Sequence, residues 1–109
     1  MKRIYRVTKN EEFSQIVGIK RSKANDSFVM YARDKEKVQA RVGISVSKKM
    51  GNAVVRNKIK RQVRMMIVNI VNFDEYPLDI IVIVRQKYLD NSFEDNQKNL
   101  EKLIKKAII

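Results

Sequence analysis

Residues 48–64, KKMGNAVVRNKIKRQVR, decide how the rest of the chain is read. Projected at about 100° per residue, Arg56, Asn57, Lys60, Arg61 and Arg64 fall within one arc of roughly 140°, while Val55, Ile59, Val63, Met66 and Ile70 fill another. A helix here presents a cationic face to a partner and an apolar face to its own core. The arginines suit bidentate contact with phosphate, and the asparagine among them both donates and accepts hydrogen bonds.

The charge is concentrated around this helix. Residues 37–73 hold nine Lys or Arg and no Asp or Glu, whereas the first 36 residues carry a net +4 and the last 36 a net −1, out of a formal +12. Solvated helix faces usually mix signs to gain i,i+4 pairs. An all-positive face repels itself and makes sense against a polyanion, nucleic acid above all; the plain alternative is a solubilising basic helix.

Composition limits the chemistry. A chain of 109 residues has room for one domain, residues 1–109, with a modest core, and 44% hydrophobic content is too high for a disordered polycation. There is no cysteine and no histidine, so thiolate sites, disulfides and the commonest general base are excluded. The acids lie in scattered pairs such as Glu11-Glu12, Asp74-Glu75 and Glu94-Asp95. Nothing in them resembles the converging carboxylates of a two-metal nuclease, so neither catalytic residues nor a metal site is expected in this chain. No run is long and apolar enough to span a bilayer, and the start, MKRIYRVTKNEEF, has no secretory h-region. A cytoplasmic protein is the expectation.

Outward from the basic helix, residues 40–47 alternate, with Val42, Ile44 and Val46 opposite Arg41, Gly43, Ser45 and Ser47. This predicts a strand with one core face and one small, polar face on which something can lie. Residues 28–33 predict another strand, in which Phe28, Met30 and Ala32 oppose Val29 and Tyr31; the charged residues 34–37 read as a hairpin-like turn. Residues 20–27 read as a loop, preceded by a short helix capped by Thr8 or Asn10, with Phe13, Ile16 and Val17 on one side. After the basic helix, which ends before Pro77, LDIIVIV at residues 78–84 predicts a central strand covered on both faces. Ser92 with Asp95 starts a last helix whose stripe is Leu100, Leu103, Ile104, Ala107 and Ile108. The elements form an α/β sandwich with a βαβ unit, ordinarily right-handed, around the basic helix if its flanking strands are parallel.

The run RVGISVSKKMGNAVVRNKIKRQVR, with NEEF and AN...F..Y upstream, resembles the signature of the bacterial ribonuclease P protein component. The resemblance implies an α+β two-layer sandwich of order αβββαβα, with a four-stranded sheet and an unusual left-handed βαβ crossover. It also implies the accessory subunit of an endoribonuclease whose catalytic groups and Mg2+ belong to a large RNA, the protein itself holding no cofactor. The partners it implies are that catalytic RNA and precursor transfer RNA, whose 5′ leader is removed; no membrane is involved. Carried onto this chain, RNA contacts fall to Lys48, Lys49, Asn52, Arg56, Asn57, Lys58, Lys60, Arg61 and Arg64. The leader cleft falls to Phe13, Val17, Asn25, Phe28, Tyr31, Ser45 and Ser47. On the residues alone, the aromatics read more readily as core than as stacking platforms, and the serines more readily as the solvent side of a strand. Three positions depart from the family pattern: Val17 where an aromatic is frequent, Asp26 where a basic residue is usual, and Lys20 where a glycine is common. The rival classes are a ribosomal or other RNA-binding protein and, more distantly, a duplex-DNA binder; the latter wants a dimer or a second module, for which no stripe is spare.

Overall fold

The computed structural model describes residues 1–108. Its elements are α1 (Asn10–Gly18), β1 (Ser22–Ala24), β2 (Phe28–Asp34), β3 (Val42–Val46), α2 (Ala53–Ile70), β4 (Leu78–Val84) and α3 (Phe93–Lys106), the expected order αβββαβα. The strands form one mixed sheet in the order β1-β2-β4-β3, with β1-β2 and β2-β4 antiparallel and β3-β4 parallel.

β4 explains the layout. Six of its seven residues are buried, and a strand without a polar side needs neighbours along both edges and cover on both faces. It therefore sits between β2 and β3, which never pair. Residues 34–37 are not a hairpin turn but the start of a connection that steps over β4. Similarly, residues 20–27 are not all loop, since Ser22–Ala24 adds an exposed edge strand to β2. The β3–α2–β4 segment is a parallel βαβ unit.

Local chemistry sets the helix ends. The Asn52 side chain accepts from the Val55 amide at 3.0 Å and caps α2. Gly51 just before it takes φ 141°, a conformation open to glycine. α3 begins at Ser92, whose Oγ accepts from the Asp95 amide at 3.1 Å. Its first turn carries Glu94 and Asp95 and its last turn Lys105 and Lys106, matching the helix dipole at both ends. At α1 the cap is Lys9, with no side-chain bond, rather than Thr8 or Asn10.

One sheet face supports the main core. Phe28, Met30, Ala32, Val42, Val46, Ile80, Val82 and Val84 pack against Ile59, Val63, Met66 and Ile67 of α2 and Leu100, Leu103 and Ile104 of α3. Ile108, expected in the α3 stripe, lies past the helix end and is 52% exposed. The other face receives α1, whose Ile16 is fully buried. A nine-residue helix covers part of that face and leaves the remainder open.

Candidate nucleic-acid interface

α2 displays its charge as the periodicity predicts. Asn57, Lys58 and Arg61 are exposed, and Arg56, Lys60 and Arg64 are half-buried along their stems. Arg56 also donates from Nε to the Gly51 carbonyl at 3.2 Å, fixing its base. Lys48 and Lys49 are exposed in a 3-10 turn just before the helix. Among the described residues, none of these cations has a carboxylate partner. The face is therefore available to an external anion. Lys58 projects off the main arc, beside Val54, Val55 and Leu89.

The open sheet face is built in rows by the register. Tyr31 pairs with Ile81 and Ile81 with Gly43; Val29 pairs with Ile83 and Ile83 with Ser45. Side chains opposite one another in adjacent strands share a face, so these six form two transverse rows. Phe13 of α1 lies directly on Gly43: a Cβ there would be 3.0 Å from Phe13 Cε2 and 2.6 Å from Ile81 Cδ1. Phe13, Val17, Val29, Tyr31, Ser45 and Ile83 are all half-buried. They lie where α1 meets the open sheet face, half-buried and mostly apolar with the Tyr31 and Ser45 hydroxyls among them, a kind of surface against which an unstacked base can lie.

An ion-pair network fixes α1 over this face. Asp79 of β4, wholly buried, accepts from Arg33 Nε at 3.2 Å and from the Arg41 amide at 3.0 Å. Arg33 Nη2 reaches Glu12 at 3.2 Å and Glu36 at 2.8 Å. Arg41 grips both carboxylate oxygens of Glu12, in a short contact through Nη2 and at 3.2 Å through Nη1. The Arg41 hydrogen bonds, together with its positive charge and that of Arg33, hold the Glu12 carboxyl down at about 2 despite the opposing effect of burial; the same pairing raises Arg41 further. One cluster thus joins α1, β2, β4 and the approach to β3. Removing one member of such a cluster would leave a buried charge uncompensated, at a cost of about 3–5 kcal/mol.

Three expected cleft residues stand elsewhere. Phe28 is 0% exposed and lies in the main core, on the helix-covered face, with its ring edge-on to Tyr88 at 5.7 Å; the alternation of β2 sends it away from Tyr31. Asn25 uses its side chain in the chain turn. Its Oδ1 accepts from the Ser27 and Phe28 amides at 3.1 Å, and its Nδ2 donates to the Asn99 carbonyl at 2.9 Å. Ser47 lies beyond β3 and accepts from the Lys49 amide at 3.1 Å, shaping the 3-10 turn. The sequence reading did not single out Val29, Gly43 and Ile83, nor the Glu12–Arg33–Arg41–Asp79 cluster. A clue to the cluster was present: an acid inside LDIIVIV must find cations if that strand is buried.

Comparison with known proteins agrees with this geometry. The family model described as Ribonuclease P matches residues 1–108. The chain is 46% identical over 99 residues to the ribonuclease P protein component of Mesoplasma florum, covering 90% of each chain. It is 40% identical over 108 residues to that of Bacillus mycoides, covering 98% of this chain and 94% of the other. Among solved structures, a mutant of the Staphylococcus aureus RNase P protein superposes with a TM-score of 0.84 at 41% identity, covering 96% of this chain and 89% of that one. With a full-length family match and this degree of identity over nearly all of its length, the chain belongs to the ribonuclease P protein family.

Proposed function

We propose that this chain, the accessory protein subunit of a ribonuclease P ribonucleoprotein, binds the catalytic RNA through α2 and the 5′ leader of precursor transfer RNA through the cleft between α1 and the open sheet face. The observation that carries this reading is the α2 face, where Arg56, Lys60, Arg61 and Arg64 have no carboxylate partner among the described residues. Lys48, Lys49, Asn52 and Asn57 extend the same surface, and Lys58 adds a cation beside it; Asn52 commits its Oδ1 to the helix cap and keeps its amide protons for a partner. Phe13, Val17, Tyr31 and Ser45 line the leader side.

The chemistry belongs to the RNA and to the Mg2+ it holds. The protein's carboxylates are scattered or paired to arginines, and among the described residues no three acids converge as a metal site requires. Its contribution is electrostatic: cations laid along crowded phosphates replace part of the divalent ion the RNA otherwise needs. We place this work in the cytoplasm; no described helix is long and apolar enough to cross a membrane.

The test is reconstitution with a bacterial ribonuclease P RNA. Protein alone should leave precursor transfer RNA intact, and protein with RNA should cleave at lower magnesium than RNA alone. In the same system, Arg61→Ala should flatten the slope of log affinity against log salt by about 0.7–0.9, and Lys106→Ala should not. Cleavage by RNA-free protein, or equal slopes for the two variants, would overturn the reading.

A further inference from the structure

At the end of the sheet farthest from β3, positive charge gathers where no further strand follows. β1 is the outermost strand there, and all three of its residues are exposed. Its register continues one row of the open face: Gly43 pairs with Ile81, Ile81 with Tyr31, and Tyr31 with Ser22. A single strand laid along this row from the seat of Phe13 on Gly43 passes Tyr31 and leaves the sheet at Ser22. At that edge it meets Lys20, Arg21 and Lys23, three cations in four residues.

Arg21 is anchored: its Nη2 donates to the Ala107 carbonyl at 3.0 Å and its Nη1 to Asp34 at 3.2 Å. It borders two hollows at this edge. One, of about 330 Å3, it shares with Lys20, Lys23 and Met30; the other, of about 620 Å3, with Gln15, Gly18 and Ile19 from the end of α1. Lys20 and Lys23 are exposed, and among the described residues neither has a carboxylate partner. With Arg21 paired to Asp34, these two lysines are the cations left for an external anion. Lys20 carries a further mark, a φ of 63°. That left-handed conformation costs free energy in any residue with a Cβ, and glycine adopts it without the penalty. Backbone strain of this kind persists where a side chain serves something other than stability.

We infer that Lys20 and Lys23, on either side of the anchored Arg21, hold phosphates of the 5′ leader upstream of the nucleotides in the cleft, where the strand leaves the sheet over β1. The inference rests on the leader reading above and carries the leader's path to the far edge of the sheet. The row of Gly43, Ile81, Tyr31 and Ser22 brings the leader to this edge. The RNA on α2 is bound elsewhere, since Lys60 and Arg64 line a groove with Val42, Gly43 and Ile44 of β3. β3 lies three inter-strand steps from β1, about 14 Å. Open hollows flanked by lysines suit a backbone in passage, whose phosphates are bound without regard to base.

The experiment uses the full chain assembled with a bacterial ribonuclease P RNA, and precursor transfer RNAs whose leaders lengthen one nucleotide at a time. Lys20→Gly relieves the left-handed strain and Lys23→Gln keeps a polar side chain without the charge. Each should lower affinity for leaders long enough to pass Ser22 by about fivefold at 0.1 M salt and flatten the log-affinity against log-salt slope by about 0.7; the double variant should lose about 25-fold and about 1.4 in slope. The loss should vanish for the shortest leaders and for mature transfer RNA, and Lys20→Arg should behave as the unmodified chain. Lys20→Gly is the sharper arm: it should raise the urea midpoint while weakening long-leader binding, opposite signs that no loss of folding produces. Unchanged long-leader affinity in both single variants, with Tyr31→Ala still weakening precursor binding, would overturn the edge site and leave the cleft standing. A loss equal for mature transfer RNA and for every leader would also overturn it, assigning the lysines to another part of the RNA. A silent Tyr31→Ala with long-leader losses in the lysine variants would keep the edge site and overturn the cleft, and silence in all three would overturn both.

Discussion

Gly43→Ala should damage the cleft selectively, and its size follows from three contacts. The added methyl would lie 2.6 Å from Ile81 Cδ1, 3.0 Å from Phe13 Cε2 and 3.2 Å from Phe13 Cδ2. Ile81 is fully buried, so its tip must recede by the better part of an ångström into occupied space, or α1 must lift from the sheet. Overpacking of this kind costs about 1–3 kcal/mol, a fall in Tm of roughly 4–15 °C for a domain of this size. Ile81→Val removes the nearest obstructing carbon and alone costs about 0.5–1.5 kcal/mol. The double variant should therefore be more stable than the sum of the two single effects, by about 0.5 kcal/mol or more. Urea unfolding of the four proteins closes the cycle, and affinity for precursors of increasing leader length reads the cleft. Leader-dependent binding should weaken while assembly with the catalytic RNA persists, because α2 packs on the opposite face. A Gly43→Ala protein with unchanged stability would refute the close seating of Phe13 and Ile81 over Gly43, and strictly additive behaviour in the cycle would refute the Ile81 part of it.

Three further outcomes are expected. Glu12 is held at about 2 against its ordinary 4.5, so its contribution is complete above about pH 4.5 and is lost as pH falls toward 2; thermal melts should show the unmodified protein losing more stability than Glu12→Gln across that window, and parallel curves would remove the clamp. Lys20 sits at φ 63°, with its amide bonded to the Val17 carbonyl at 3.1 Å. The left-handed conformation costs a side-chain-bearing residue about 1–2 kcal/mol, part of which glycine loses again in backbone entropy. Lys20→Gly should therefore raise the urea midpoint by an amount worth about 0.5–1 kcal/mol with no change in slope, and an unchanged midpoint would count against that strain. Tyr31→Ala should weaken precursor binding by about 1–3 kcal/mol and spare mature transfer RNA, whereas Phe28→Ala should cost about 3–5 kcal/mol of stability and lower all binding through unfolding; equal losses of precursor and mature binding by folded Tyr31→Ala would move the leader elsewhere.

Much of the fold was legible because its signals are local. The 3.6-residue period of α2, the Ser92 cap and the apolar run of β4 each act within a few residues, and the structure carries all three. β1 was not legible, since a three-residue exposed strand has no pattern of its own and exists only because β2 offers it an edge. The supposed hairpin at residues 34–37 failed for the same reason in reverse: adjacency in sequence favours β2–β3 pairing, but β4 needs both neighbours more. The left-handed position after α1 falls on Lys20 rather than on the glycine that this conformation favours. The backbone accepts this because the helix-ending bond to Val17 holds it.

The sequence by itself determined the cationic face of α2, because a helix turns periodicity directly into a surface and charge needs no partner within the chain to be exposed. It could not decide which aromatics reach that surface. Phe28 and Tyr31 are three residues apart in one strand, and only the pairing of β2 with β4, together with the choice of face taken by α2 and α3, sends Phe28 into the core and Tyr31 to the cleft. The ion cluster was hidden for the same reason. Glu12, Arg33, Arg41 and Asp79 are ordinary surface residues by composition, and they become a buried clamp when tertiary packing brings four separate segments within hydrogen-bond reach.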